Sequence, residues 1–164
     1  MKHSAMLVLL LSGLLWGTTS LADSNALNDS NTMLVYKSPR CGCCGDWANH
    51  MVSNGFSVQI HHPKNLDAIK QTLGVSPRYH ACHTSVQAGY FFEGHIPATV
   101  IDHFLKQKPK DVVGLAVPGM PMGSPGMDVP GQYRPYQVLS VHKDGSSTPY
   151  ARVSNDEIVY LGAS

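Results

Sequence analysis

Two hydrophobic periods alternate along the chain and divide it into strands and helices. Met33 to Ser38 (MLVYKS) is short, apolar and β-favouring and ends at Pro39, which predicts a strand followed by a break. Cys44 to Asn54 places Trp47, Ala48, Met51 and Val52 at helical spacing, with Gly55 as the C-cap. Phe56 to His61 alternates Phe56, Val58 and Ile60 against Ser57, Gln59 and His61, the pattern of a strand with one buried face. Asn65 to Leu73 puts Leu66, Ile69 and Leu73 on one helical face before Gly74. Two short strands, Thr84 to Ala88 and Tyr90 to Glu93, flank Gly89, and Ala98 to Lys106 forms a third helix with Pro97 at its first turn.

This order is βαβ, then α, then ββα. A strand leading into a helix with Cys-x-x-Cys at its start, in this order, is the thioredoxin-like arrangement. The expected fold is therefore α/β, with a mixed four-stranded sheet whose βαβ half is parallel and whose ββ pair is antiparallel. Beyond it, Gly114 to Gly131 holds four Pro, five Gly and three Met, so neither helix nor strand is expected to run through it. Tyr136 to His142 and Thr148 to Val153 then form a hairpin about the Lys143-Asp144-Gly145 turn. The organisation expected is a thioredoxin-like domain over 33–112 and an extension over 113–164 that packs on the same domain, being too poor in apolar residues to fold alone.

The N-terminus has another purpose. Met1-Lys2-His3 is a short positive start, Ala5 to Gly17 is a Leu-rich apolar run, and Ser20-Leu21-Ala22 offers small residues for cleavage. This is the pattern of a secretory signal peptide over 1–22, and its run falls short of the roughly 20 residues of a spanning helix. A polar leader, 23–32, would follow it, and no membrane span is expected after cleavage. Export would place the mature chain outside the cytoplasm.

Composition sharpens this picture by exclusion. Of 164 residues, 43% are hydrophobic and 14% charged, which suits one globular domain. Lys and Arg number 12 against 11 Asp and Glu, so no basic footprint for nucleic acid exists. The chemistry lies in the soft donors: four Cys, seven Met and nine His, with Cys41, Cys43 and Cys44 inside four residues.

Between a strand end and a helix start, free N–H groups and the helix dipole favour thiolate, so these cysteines should be good nucleophiles or ligands. Cys82 precedes the third strand, and in a thioredoxin-like fold that turn lies against the start of the first helix. It takes the place where a thioredoxin has a cis-proline, so four sulfurs and His83 are expected to converge. Three readings stay open: structural disulfides in an oxidising compartment, a thiol–disulfide site using Cys41 and Cys44, and a metal site. Disulfides are disfavoured, since pairing the adjacent Cys43 and Cys44 with Cys41 and Cys82 is awkward at this spacing. Four thiolates on one Zn²⁺ would leave net negative charge, whereas several bridged Cu(I) ions would neutralise it, so copper is the favoured metal. Met120, Met122 and Met127 are further candidates, as covers or ligands. His50, His95 and His80 follow His83 among the histidines, and His61, His62, His103 and His142 are not favoured. Tyr36 and Trp47 read as core, while Lys37 and Arg40 flank the cluster and could offset thiolate charge.

Tyr36-Lys37-Ser38-Pro39 with Cys41-Gly42-Cys43-Cys44, then Ser76-Pro77, Cys82-His83-Thr84, Gly89-Tyr90, Glu93-Gly94-His95-Ile96-Pro97-Ala98, Gly114-Leu115-Ala116-Val117-Pro118-Gly119-Met120-Pro121 and Gly123-Ser124-Pro125-Gly126-Met127 resemble the exported CopG copper-resistance proteins of bacteria. The resemblance runs from about Met33 to Arg152. It implies a thioredoxin-like fold in which Cys41, Cys43, Cys44 and Cys82, with His83 nearby, hold copper in a thiolate-bridged multinuclear cluster. It further implies a role in copper resistance through change between Cu(I) and Cu(II), which would make the protein a copper oxidoreductase served by an electron-transfer or copper-export partner. A copper chaperone is the remaining alternative.

Overall fold

The first strand, β1 (Thr32–Lys37), buries every second residue, Met33, Val35 and Lys37, because successive side chains of a strand point to opposite faces. This computed structural model describes residues 31–155 and 157–161. The expected signal peptide, 1–22, and leader residues 23–30 lie outside the described residues; Thr32, at the leader's end, already belongs to β1. The first helix, α1 (Gly42–Ser53), buries Cys44, Trp47, Ala48 and Met51, a single stripe at i, i+3, i+4 and i+7. Val52, expected on that stripe, is 57% exposed, since it falls a further 100° round the helix.

The remaining elements are β2 (Ser57–His61), α2 (Leu66–Thr72), a 3-10 turn at Pro77–Tyr79, β3 (His83–Gln87), β4 (Tyr90–Glu93), α3 (Ala98–Gln107), β5 (Val112–Ala116), β6 (Tyr136–His142), β7 (Ser147–Ser154) and β8 (Glu157–Tyr160). All eight strands join one sheet in the order β2-β1-β3-β4-β5-β6-β7-β8. The α/β class and the four expected strands are present, with β1 and β2 parallel and β3 and β4 antiparallel. The sheet does not stop at four, however. β5 pairs in parallel with β4 and carries β6, β7 and β8 on antiparallel ladders, so the predicted hairpin extends the sheet.

Gly114 concealed β5 in the sequence, because a glycine beside a Pro-rich run reads as loop. In the strand, a Cβ at Gly114 would fall on the carbonyl and ring of Phe91, so the glycine serves the close pairing of β4 with β5. β2 departs from expectation in the other direction. Phe56 and Val58 pack on the core, but Ile60, on an edge strand of the sheet, is 44% exposed.

The sheet is covered unequally. On one face α1 and α3 bury Met33, Val35, Trp47, Met51, Phe92 and Phe104 in a large cluster. On the other, α2 and the following turn bring Val75 and Tyr79 onto Phe91, Ala116 and Val141. Leu66, Ile69 and Leu73 of the α2 region are half-buried as expected, yet the side chain this helix buries completely is that of Lys70.

Candidate metal centre

Pro39 ends β1 and Cys41 begins α1 as its N-cap, its N–H donating to the Ser38 carbonyl at 3.1 Å. The buried stripe of α1 turns Cys44 inward beside Trp47, and Cys41 and Cys43 stay half-buried at the rim. The Trp47 indole N–H donates to the Ile96 carbonyl at 2.8 Å, which fixes α1 against the segment between β4 and α3. Across from it, the turn before β3 delivers Cys82 and His83. The donor atoms of Cys41, Cys43, Cys44 and Cys82 lie within 4.8 Å of one another, and so do those of Cys44, Cys82, His83 and His95. Two sets of four donors thus share Cys44 and Cys82.

Cys41 and Cys44 form a disulfide with Cα atoms 5.4 Å apart, while Cys43 and Cys82 are free. The sequence disfavoured disulfides among these cysteines, and the Cys41–Cys44 bond departs from that expectation. A three-residue step at a helix start places the two side chains one turn apart, within normal reach.

The two histidines are poised differently. His95 is fully buried, and its Nδ1–H donates to the Pro125 carbonyl at 2.7 Å, which leaves Nε2 with its lone pair, 2.8 Å from Cys82 Sγ. Burial holds His95 below the usual histidine range and pushes the Cys82 thiol up to about 11, with Cys43 adding to the latter. The pair is therefore a neutral imidazole accepting from an S–H. His83 is also fully buried, its Nδ1 4.0 Å from Cys82 Sγ and its ring 4.2 Å from that of Trp47. Its Nε2 has no hydrogen-bond partner among the described residues, and burial, with His95 and two lysines nearby, holds it well below the ordinary value. A buried imidazole nitrogen without a partner costs stability unless something fills it.

His50 is not brought into either set. Its Nε2 accepts from the Ala98 N–H at 3.1 Å and caps α3, because the N-cap position is Pro97 and offers no side-chain acceptor. His80 bonds the Val75 carbonyl, His61 stacks on Tyr36, His62 meets the Lys37 carbonyl, His103 binds Tyr150 and His142 binds Thr148. Lys37 is buried with its ammonium on the Ser38 carbonyl, whereas Arg40 is exposed.

The loop carrying Met120, Met122 and Met127 covers the centre through its backbone. Pro125 supplies the carbonyl on His95, and Gly126, at φ +78°, sits so close to α1 that an added Cβ would lie 2.5 Å from the Cys43 carbonyl oxygen and 2.7 Å from the Trp47 nitrogen. Met122 and Met127 are half-buried and Met120 is 53% exposed.

Sequence reasoning missed a network behind the centre. Lys70 on α2 pairs with Glu93 on β4, both buried, and donates to Thr84 Oγ1 at 2.9 Å; Thr84 donates to the other Glu93 oxygen at 2.6 Å. The Ala81 N–H donates to Glu93 Oε1 at 2.6 Å, so the carboxylate holds the backbone immediately before Cys82. A lone Glu ending a buried apolar strand was the available signal.

Two solved structures titled "Copper resistance protein copG", Form 1 and Form 2, match the chain at 40% identity with TM-scores of 0.71 and 0.69. They cover 75% and 74% of this chain, and the chain spans 97% of each. The chain belongs to the CopG copper-resistance family. A family described as "Protein of unknown function, DUF411" also matches residues 79–127, the stretch holding Cys82, His83, Glu93, His95 and Pro125 of this CopG-family chain. No curated protein matches. Among the described residues, no helix of this CopG-family member is long and apolar enough to cross a membrane.

Proposed function

We propose that this protein is an exported, periplasmic copper-binding protein of copper resistance, built on a thioredoxin-like frame and holding Cu(I) in a multinuclear cluster bridged by Cys41, Cys43, Cys44 and Cys82. The observation that carries the reading is the pair of overlapping donor sets, four sulfurs and two imidazoles, sharing Cys44 and Cys82. Once a dithiol reductant opens the Cys41–Cys44 disulfide and frees both sulfurs, the thiolates that belong to two sets are suited to bridge metal ions, and sulfur with imidazole suits copper. His83 and His95 complete the centre on its buried side, the latter with its tautomer fixed by Pro125, as ligating histidines usually are. The printed name of the two similar solved structures, copper resistance protein, agrees with this cargo. Imidazole beside thiolate lets the centre accommodate Cu(II) as well as Cu(I), which supports redox cycling with an electron-transfer or copper-export partner. Met120, Met122 and Met127 act as a cover over arriving or departing ions.

The test is metal identity and metal per chain, with a parallel thiol count, on protein recovered anaerobically from a copper-exposed periplasm. Two or more copper ions per chain, with thiols protected until the metal is stripped, is the expected result; one zinc, or no metal, overturns it.

The Cys41–Cys44 disulfide favours a second reading, a thiol–disulfide oxidoreductase. That activity would need no metal and would survive Cys82→Ser, and it gives no account of the buried His83 and His95 donors.

A further inference from the structure

Two lysines are buried near this centre, and they are partnered differently. Lys70 reaches the Glu93 carboxylate and Thr84, so its charge is matched within the protein. Lys37, the last residue of β1, is only 6% exposed, yet among the described residues its ammonium meets no carboxylate and has one partner, the Ser38 carbonyl at 3.1 Å. An ammonium has further N–H donors to place, and burying it without an anion costs stability. The same Ser38 carbonyl accepts from the Cys41 N–H at 3.1 Å, so the ammonium stands one shared oxygen away from the start of the thiol cluster. Lys37 is also the direct antiparallel partner of His83, and residues opposite each other on paired strands put their side chains on one face. Its charge is felt there: burial first, then His95, Lys70 and Lys37, hold His83 well below the ordinary value. A buried cation without an anion thus faces sulfurs that must give up their protons to hold metal.

We propose that Lys37 is the counter-charge of the partly loaded centre, strengthening its hold on the first Cu(I) ions and weakening its hold on the last; this rests on the copper reading above. The sign follows from charge balance. A Cu(I) ion held by a pair of thiolates sends both their protons to solvent and brings a single positive charge, so early loading leaves the centre negative, and a neighbouring ammonium stabilises it. A later ion that bridges sulfurs already deprotonated displaces no proton and adds its charge outright, so the same ammonium opposes it. No oxidation state changes in either step. Burial keeps solvent and salt from screening the effect. Lys70 does not share this role, because Glu93 cancels its charge.

Fully reduced, metal-free wild type, Lys37→Met, Lys37→Gln and Lys37→Arg are titrated anaerobically with Cu(I) against chromophoric Cu(I) chelators of graded affinity, and urea midpoints are measured on the same metal-free proteins. Lys37→Met should bind its first Cu(I) about tenfold less tightly and its last about tenfold more tightly. Its metal-free midpoint should not fall, since an apolar chain replaces a buried unpaired charge. Lys37→Gln, which keeps an N–H for the Ser38 carbonyl and drops the charge, should show the same opposite shifts, and Lys37→Arg should resemble wild type. First and last ions that weaken together or stay unchanged in the uncharged variants overturn the proposal, as does Lys37→Arg behaving like Lys37→Met. A midpoint lowered in both uncharged variants marks a structural lysine and overturns it too. All these outcomes leave the copper reading standing, whereas wild-type protein that takes up no Cu(I) sinks that reading itself.

Discussion

Strands β3 and β4 carry a buried polar cluster on each face, and the two differ in one respect that separates binding from support. Toward α2, Lys70, Glu93, Thr84 and the Ala81 N–H satisfy one another. Toward α1, His83 Nε2 lacks a partner among the described residues and His95 Nε2 faces a thiol. Neighbouring residues on one strand, His83 and Thr84, serve the two clusters because alternate side chains point to opposite faces. A saturated network is complete without a ligand, and an unsaturated one of soft donors is not. The saturated side also holds the unsaturated side in place, through Ala81 next to Cys82.

This contrast breaks most severely at Cys82, which both donor sets share. Cys82→Ser should lower copper per chain more than any single His substitution, and equal capacity would remove Cys82 from the centre. Glu93→Ala leaves Lys70 buried without its partner and should cost about 3–5 kcal/mol of stability, read by urea denaturation. If the two clusters are coupled through Ala81, it should also quicken alkylation of Cys82 under native conditions; an unchanged rate would uncouple them. Copper binding should tighten with pH. The Cys82 thiol, raised to about 11, is protonated at neutral pH and must lose that proton to bind, so apparent affinity gains up to about tenfold per pH unit from this one group, read by Cu(I) competition. Joint replacement of Met120, Met122 and Met127 by Leu should speed copper loss to a chelator, and an unaltered rate returns the loop to packing. The smallest effect belongs outside both clusters. His50→Ala removes the α3 cap and should cost about 1 kcal/mol. Burial lowers the His50 pKa, so its unfolded form takes up a proton first; the wild type should lose stability as pH falls below the ordinary histidine value, and the variant should lose less.

The sequence made the soft cluster legible because its members announce their chemistry by type and spacing. Cys41, Cys43 and Cys44 are nearly contiguous, and a strand-then-helix pattern is enough to bring Cys82 and His83 across from them. His95 and His50 looked alike in the sequence, and only the partners of their ring nitrogens tell a poised donor from a helix cap. The saturated network was illegible for the opposite reason. Lys70 on an amphipathic helix reads as a solvated charge, and its partner Glu93 is 23 residues away. β5 was hidden by Gly114, whose role depends on Phe91 in another strand, and β8 is only four residues long. The helical stripes were readable since they repeat within one element; long-range pairing beyond the fourth strand left no such local mark.

The loop over the centre also has a place in time. Cys41, Cys43, Cys44 and Cys82 all precede Pro125 and Gly126, which close on His95 and α1. A chain made and delivered from its N-terminus presents every sulfur before the residues that cover them exist at the site. Each newly made molecule therefore passes through an interval in which its thiols meet the surroundings uncovered, and whichever reaches them first, metal or oxidant, finds them open.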